Sequence, residues 1–342
     1  MRKRRRMQAG VFGLVLSGLL AGCGGTVATP AKVTPVHLSV GYVTGTEVEF
    51  FYALHYDLFA RAGIDVTPVP FTSGPPMLAA LASGSLDAGI FGLPPVISSL
   101  SQKVPLKIWD LTDAGSRLNG LYVNPASGIT GVKGLGGKTV ATAVGTTADV
   151  IMHIALQKAG VPFSSVHFEY LTPPALVDAY VRGDVGAVWI WNSWGMQLEA
   201  AGAREVANAT EYGQGDPGVA VSLSSFIQSH LHTLAVFAKV LSEASAYVDA
   251  HRTSARVVDT LSRYNGISTA LDGKMMRLEP DPSITIGDLL SPSYQFSFLG
   301  SRGFATLVAS EAAMLQQIGI IKTVPTAGSE WTARVVEAAA KL

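Results

Sequence analysis

Four short segments bring together residue types suited to holding a small anion: Thr44-Gly45-Thr46-Glu47, Thr72-Ser73-Gly74, Gly92-Leu93-Pro94 and Gly145-Thr146-Thr147. Glycine lets backbone come close to a ligand, threonine and serine supply short hydroxyl donors, and the first turn of a helix carries N–H groups without an intrahelical acceptor. Where such a segment opens a helix, those amides and the positive end of the helix dipole form a cradle for negative charge. Any one of the segments also reads as a plain helix cap, so the recurrence of four is what points to binding. Trp189, Trp191 and Trp194 follow at the end of a predicted strand. Alternation puts Trp189 and Trp191 on one face, with Trp191 the expected wall of a cleft and Asn192 a hydrogen-bonding neighbour. Glu47, Asp113 and Asp216 stand in turn-like contexts where a carboxylate would meet a cationic ligand group.

Other chemistries lack their residues. The chain has no Gly-x-Ser-x-Gly elbow, no His-Glu-x-x-His pair and no Walker-type phosphate loop. Its seven histidines are scattered, and His230 and His232, two apart, would point in different directions on a helix. The expectation is a binding protein, not an enzyme, with no cofactor and no metal. Lys plus Arg and Asp plus Glu both number 25, and five of the basic residues lie in the first six positions. The remainder is mildly acidic and shows no basic stripe, which excludes nucleic acid as a partner.

The elements that must position these residues read as alternating strands and helices. His37 to Val43 is a strand, Glu47 to Ala62 has helical spacing, Ile64 to Val69 is a strand, and Met77 to Ala82 a helix after Pro75-Pro76. Leu86 to Phe91, Leu106 to Leu111 and Gly120 to Val123 read as further strands. The pattern restarts near Gly134, with strands at Lys138 to Thr142, Val166 to Tyr170 and Ala187 to Trp191, and helices at Ala148 to Ala159 and from Pro173 to Val181. Such alternation implies α/β layers, a parallel sheet flanked by helices. Leu78 to Gly92 and Leu176 to Trp191 echo each other as helix, Gly-containing turn and strand, as two lobes built alike would do. Leu231 to Ala250, Thr253 to Tyr264, Tyr294 to Ile318 and Glu330 to Lys341 all show helical spacing.

The first residues address the protein. Arg2 to Arg6 precede an apolar run from Val11 to Ala21, and Leu20-Ala21-Gly22-Cys23 ends it at the chain's one cysteine. This is the pattern of a secretory signal with a lipobox, so Cys23 is the expected acylated residue. Gly24 to Pro35 is small and Pro-bearing and reads as a tether.

The order of motifs resembles the taurine, alkanesulfonate and nitrate binding proteins of ABC importers, within the type II periplasmic-binding fold. The resemblance rests on Leu81-Ala82-Ser83-Gly84-Ser85-Leu86-Asp87-Ala88-Gly89, on Val132 to Ala141, and on Leu171-Thr172-Pro173-Pro174-Ala175 followed by Arg182-Gly183-Asp184 and Trp191. It spans about residues 38 to 335 and comes nearest to the taurine receptors. It implies two lobes, each a mixed sheet flanked by helices, with the ligand in the cleft between them. The expected organisation is a signal at 1–23, a tether at 24–35, a first lobe from 36–123 plus 223–342, and a second lobe at 124–222. The sulfonate-contacting turns of that group fall on Gly92-Leu93-Pro94 and Thr146-Thr147, and its cleft tryptophan on Trp191. Departures are visible: Leu93 and Pro94 stand where hydroxyls are usual, Ser193 replaces a proline, and a Trp-Gly pair near Gly213 to Asp216 is missing.

The expected function is capture of a small anionic organic solute by cleft closure, for presentation to ABC permease subunits. The chain would act as a monomer anchored by lipid to the outer face of the cytoplasmic membrane. The alternative is a receptor for a thiamine precursor or other heterocycle, with Tyr42, Phe50, Phe51, Tyr122 and Trp191 as stacking surfaces.

Overall fold

Two prolines decide where the second strand lies. The computed structural model describes residues 35–45, 47–112, 119–215, 217–265, 267–278, 284, 286–290, 304–326 and 330–342. In it β1 (Val36–Val43) and β2 (Ile64–Phe71) run parallel, with Val40 opposite Pro68 and Tyr42 opposite Pro70. Proline cannot donate to a ladder, so a strand holding two of them belongs at a sheet edge. The first sheet has the order β2-β1-β3-β10-β4, with β3 at Ala88–Gly92, β4 at Leu106–Leu111 and β10 at Gly218–Leu223. β10 is antiparallel to both of its neighbours. The outer edge of β4 is covered rather than bare: the Ile108 N–H donates to the Glu330 carbonyl at 2.7 Å, and the Thr332 N–H donates to the Ile108 carbonyl at 2.9 Å.

The second sheet repeats the plan in the order β7-β6-β8-β5-β9, from β5 (Asn119–Val123), β6 (Thr139–Thr142), β7 (His167–Tyr170), β8 (Ala187–Trp191) and β9 (Arg204–Asn208). β6 is parallel to β7 and β8, and β5 is antiparallel to β8 and β9. Strand for strand this matches the first sheet. The echo in the sequence therefore corresponds to equivalent units, one helix into β3 and another into β8. The result is a two-lobed α/β fold with a mixed sheet in each lobe.

Strand pairing moves both expected lobe boundaries. Residues 120–123, assigned from the sequence to the first lobe, are part of β5 in the second sheet; residues 218–222, assigned to the second, are part of β10 in the first. Both are antiparallel insertions, and a strand's own apolar pattern does not say which sheet it joins. The chain thus crosses between Leu111 and Asn119 and returns between Asn208 and Gly218. The periodicity reading also passes over β9 and β10 altogether.

The helices are α1 (Val48–His55), α2 (Leu58–Arg61), α3 (Gly74–Ala82), α4 (Leu93–Ser101), α5 (Thr147–Ala159), α6 (Pro173–Arg182), α7 (Asn192–Ala200), α8 (Ser224–Ser229), α9 (Leu231–Ala250), α10 (Ala255–Asn265) and α11 (Thr269–Leu278), with later ones at Ile286–Leu290, Phe304–Gln317 and Arg334–Ala339. Of the expected helix from Tyr294, residues 294–303 lie outside the described residues. Among the described residues no helix is long and apolar enough to cross a membrane. One face of the first sheet packs on α1, α9 and α10 through Leu38, Val40, Phe50 and Phe237, with Phe59 and Phe237 stacked at 4.4 Å.

Absent side chains set how closely two site-bearing helices approach their sheets. A Cβ on Gly89 would stand 2.8 Å from Met77 Sδ of α3, and a Cβ on Gly195 of α7 would stand 2.3 Å from the Tyr122 ring of β5. Gly195 therefore fixes the seat of α7, whose first residues matter below. Gly195→Ala must displace a fully buried ring, so unfolding by urea is expected to show a loss of about 1–3 kcal/mol; an unchanged midpoint would refute this packing.

Candidate functional site

In sheets of this kind the crevice lies beyond the carboxyl ends of the strands, where turns lead into helices. β1, β2 and β3 open into α1, α3 and α4, while β6 and β8 open into α5 and α7. The N-caps Ser73, Gly92, Thr146 and Trp191 are all extended, and none makes a side-chain cap bond to its helix. The donors are unevenly shared between the lobes. α3 begins Gly74-Pro75-Pro76 and α4 begins Leu93-Pro94-Pro95, so each has lost two of its first three N–H groups. α5 begins Thr147-Ala148-Asp149 and α7 begins Asn192-Ser193-Trp194, with every N–H present. In the first lobe α1 also keeps every N–H of its first turn, and in the second α6 also begins with paired prolines, so the lobes differ at one counterpart pair, α4 against α7.

The turns meet as pairs across the interlobe seam. Gly45 has φ +104°, and a Cβ there would lie 1.9 Å from Ser193 Oγ; a Cβ on Gly145 would lie 3.8 Å from Pro75 Cγ. The first lobe thus touches the start of α7 at one point, and the second touches the start of α3 at another. Thr44 Oγ1, Trp191 Nε1 and Ser193 Oγ are buried here and have no hydrogen-bond partner among the described residues. A buried polar atom left so costs about 1–3 kcal/mol, a cost that a bound group would remove.

The expected site residues divide accordingly. Thr44, beside Gly45, and Trp191 lie on the two turns that meet where Gly45 abuts Ser193, and Gly145 lies at the other contact, against Pro75. Thr146 and Thr147 are buried at the start of α5, and the Thr146 hydroxyl is already engaged, donating to the Ala143 carbonyl at 2.6 Å. Asn192 and Glu47 are buried and hold partners within the protein. Gly74 is pressed against Pro95, and Ser73 is half-buried. Gly92 is half-buried, whereas Leu93 is fully buried and packs in the core with Trp189. Leu93 serves packing, and Pro94, also buried, has no N–H to give. Thr46, Asp113, Asp216 and Cys23 lie outside the described residues.

Two carboxyl groups escape the sequence reading. Asp149 is fully buried in the first turn of α5, and its Oδ2 accepts the Gly145 N–H at 2.9 Å, pinning the turn from beneath. Its spacing of four from a glycine in a Gly-Thr-Thr-Ala-Asp run is the signal that would have found it. His153 lies one turn on, 3.2 Å from Asp149 Oδ1 and edge-on to Phe163. Tyr170 is pushed up to about 12, first by burial and then by the Asp149 charge. Asp110, in the apolar run Leu106–Leu111, is buried at the crevice end of β4 opposite Ala220. Burial pushes it up to about 8, against the pull of the Leu111 N–H that donates to its Oδ1 at 3.0 Å.

Comparison with known proteins agrees with the fold. The family described as NMT1/THI5 like matches residues 47–255. A Bacillus subtilis (strain 168) protein named for aliphatic sulfonates binding is 30% identical over 242 residues, covering 68% of this chain and 71% of the relative. The taurine-binding periplasmic protein of Escherichia coli (strain K12) is 27% identical over 239 residues, covering 68% and 74%. The crystal structure of the periplasmic aliphatic sulphonate binding protein of Escherichia coli superposes with a TM-score of 0.72 at 20% identity, covering 86% of this chain and 92% of that one.

Gly45→Ala brings a methyl group into Ser193 and strains the backbone. It is expected to hold the lobes apart, enlarging the radius of gyration in small-angle scattering, and Ser193→Gly in the same chain should reverse most of the change. Asp110 contributes a pH dependence. Because its folded pKa lies above the ordinary carboxylate value, the folded state keeps a proton that the unfolded state loses, so stability falls as pH rises from about 4 through about 8. Asp110→Asn should flatten that fall in urea titrations at pH 5 and pH 8; an equal fall in both proteins would assign it elsewhere.

Proposed function

The chain belongs to the NMT1/THI5-like family, and from that premise we propose that it is the solute-binding component of an ABC importer, capturing a small organic anion between its lobes. The observation that carries this reading is the seam itself: Gly45 abuts Ser193, and on the two turns that meet there Thr44 Oγ1, Trp191 Nε1 and Ser193 Oγ are each buried without a hydrogen-bond partner among the described residues. A sulfonate offers three acceptor oxygens, which suits donors of this kind. Its charge sits best on the second lobe, against the starts of α5 and α7, where the amides and helix dipoles are intact. A solute bound there and touching Thr44 contacts both lobes, which is the condition for stabilising the closed state. Of the expected contacts, Thr44, Thr146, Thr147, Trp191 and Asn192 are retained in this reading.

The relatives named for sulfonates and taurine favour this ligand class. The heterocycle alternative needs free stacking surfaces. Tyr42, Phe50 and Phe51 pack on one another at 5.2 to 6.2 Å, and Tyr122 is buried against Gly195, so those rings serve the core instead. Presentation to permease subunits, anchoring through an acylated Cys23 and export to the outer face of the cytoplasmic membrane complete the proposal. The anchoring rests on the residues around Leu20-Ala21-Gly22-Cys23.

A panel of small sulfonates, taurine included, is expected to contain members that raise the melting temperature and reduce the radius of gyration. Trp191→Phe keeps the ring and removes the N–H; it should weaken such a ligand roughly 10-fold or more, since a hydrogen bond to a charged group is worth about 1.5–3 kcal/mol. A panel that moves neither observable would refute the sulfonate assignment.

A further inference from the structure

The two faces of α7 belong to different cores. Gly195 sits beneath the Tyr122 ring, and Leu198, one turn on, is buried in the cluster that holds Tyr122 and Trp189. Ser193, Met196 and Glu199 recur at intervals of three, which places them together on the opposite side of the helix. Each of these meets the first lobe through a different chemistry. Ser193 abuts Gly45, in the turn after β1. Met196 is buried in the apolar cluster that contains Leu38 and Val40 of β1 and Met275 and Met276 of α11. Among the described residues it is the one contribution of the second lobe to that cluster. Glu199 Oε2 accepts from Lys274 Nζ of α11 at 2.5 Å.

The helix that supplies Lys274 is itself fastened to the first lobe. α11 packs on α10 as well as on α7, and Asn265 Nδ2 of α10 donates to the fully buried Asp272 at 2.9 Å. Met275 and Met276, the next two residues after Lys274, are buried, so the backbone that carries the lysine has a fixed seat. At a rise of about 1.5 Å per residue, Glu199 lies roughly 9 Å along α7 from Ser193. α11 therefore grips the end of α7 away from the turn that carries Trp191, Asn192 and Ser193.

We infer that Met196 and Lys274 are positioning residues: α11 clasps α7, and through it the second lobe, against the first lobe before any solute arrives, and so sets where Trp191 and Ser193 stand relative to Thr44. A solute then meets lobes already brought together, and its apparent affinity scales with the fraction of molecules in that arrangement. Met196 supplies a contact that salt does not weaken, whereas the ion pair is partly exposed and is screened. The clasp requires nothing of the identity of the solute.

The test is small-angle scattering of the full-length protein without added solute, with circular dichroism alongside to report helix content. Lys274→Glu and Glu199→Lys each set like charges against one another and should enlarge the radius of gyration at unchanged helix content. The two combined restore an opposite pair in reversed order and should return the radius to that of the unaltered protein, a rescue that a general loss of stability would not give. Met196→Ala, which empties part of the apolar contact, should enlarge the radius in the same direction. Unchanged radii in the two single charge variants, or an enlargement that the exchange does not reverse, overturn the clasp; enlargement with loss of helix content is unfolding and counts against it. An unchanged radius in Met196→Ala overturns the part given to that residue. Calorimetry with ethanesulfonate forms a second arm, in which each single charge variant should bind about 2- to 5-fold more weakly and the exchange should recover the loss. If ethanesulfonate does not bind the unaltered protein, that ligand is removed from the solute reading, and the scattering results decide the clasp by themselves.

Discussion

At Gly45 the first lobe meets the second with backbone against a serine, and the position of that contact governs what the rest of the molecule can do. A single methyl group there would occupy the space of Ser193 Oγ. The lobes approach so closely only because α7 is seated low on its sheet, which in turn requires Gly195 beneath the Tyr122 ring. On the turns that meet there, Thr44 Oγ1, Trp191 Nε1 and Ser193 Oγ are buried without hydrogen-bond partners among the described residues. Closure and unmet hydrogen bonding are therefore found at the same turns, and a solute relieves the second by occupying the first.

The lobes are alike in plan but not in chemistry. Both carry a mixed five-stranded sheet with an antiparallel strand next to the central one, and both present helix starts at the crevice. Paired prolines strip amide hydrogens from α3 and from its counterpart α6 alike, but α4 begins with them where its counterpart α7 does not. Even on the second lobe one donor is withdrawn, since the Gly145 N–H is held by Asp149. That bond shapes the turn and leaves the Thr147 and Ala148 amides, both in buried residues, at the positive end of the helix dipole. Duplication supplies the framework, and a few substitutions within it set which side accepts charge.

Legibility in the sequence follows how local each cause is. Pro68 and Pro70 announce an edge strand because a missing N–H acts within its own ladder. The helix starts at Gly74, Leu93 and Thr147 are readable from glycine, proline and hydroxyl residues around them, whereas α7 at Asn192 has no such punctuation and the sequence reading passes over it. β5 and β10 are different: each joins the sheet opposite to the one its place in the chain suggests, because its partners are supplied by distant segments. Leu93 was a candidate contact by position in a motif, yet its side chain is taken by the core. Asp110 reads as an ordinary residue of an apolar strand until burial on all sides is known.

The sequence by itself determined the α/β class, the duplicated helix-to-strand unit and the turns that open onto a crevice. Each of these depends on neighbours within a few positions, where periodicity and backbone stereochemistry act. Only the tertiary structure decided which strands share a sheet, which turn faces which, and which polar atoms are left without partners among the described residues. Those properties arise from contacts between segments tens to more than a hundred residues apart, such as Asn119 with Trp191 and Gly45 with Ser193, and no local pattern encodes which pair will meet.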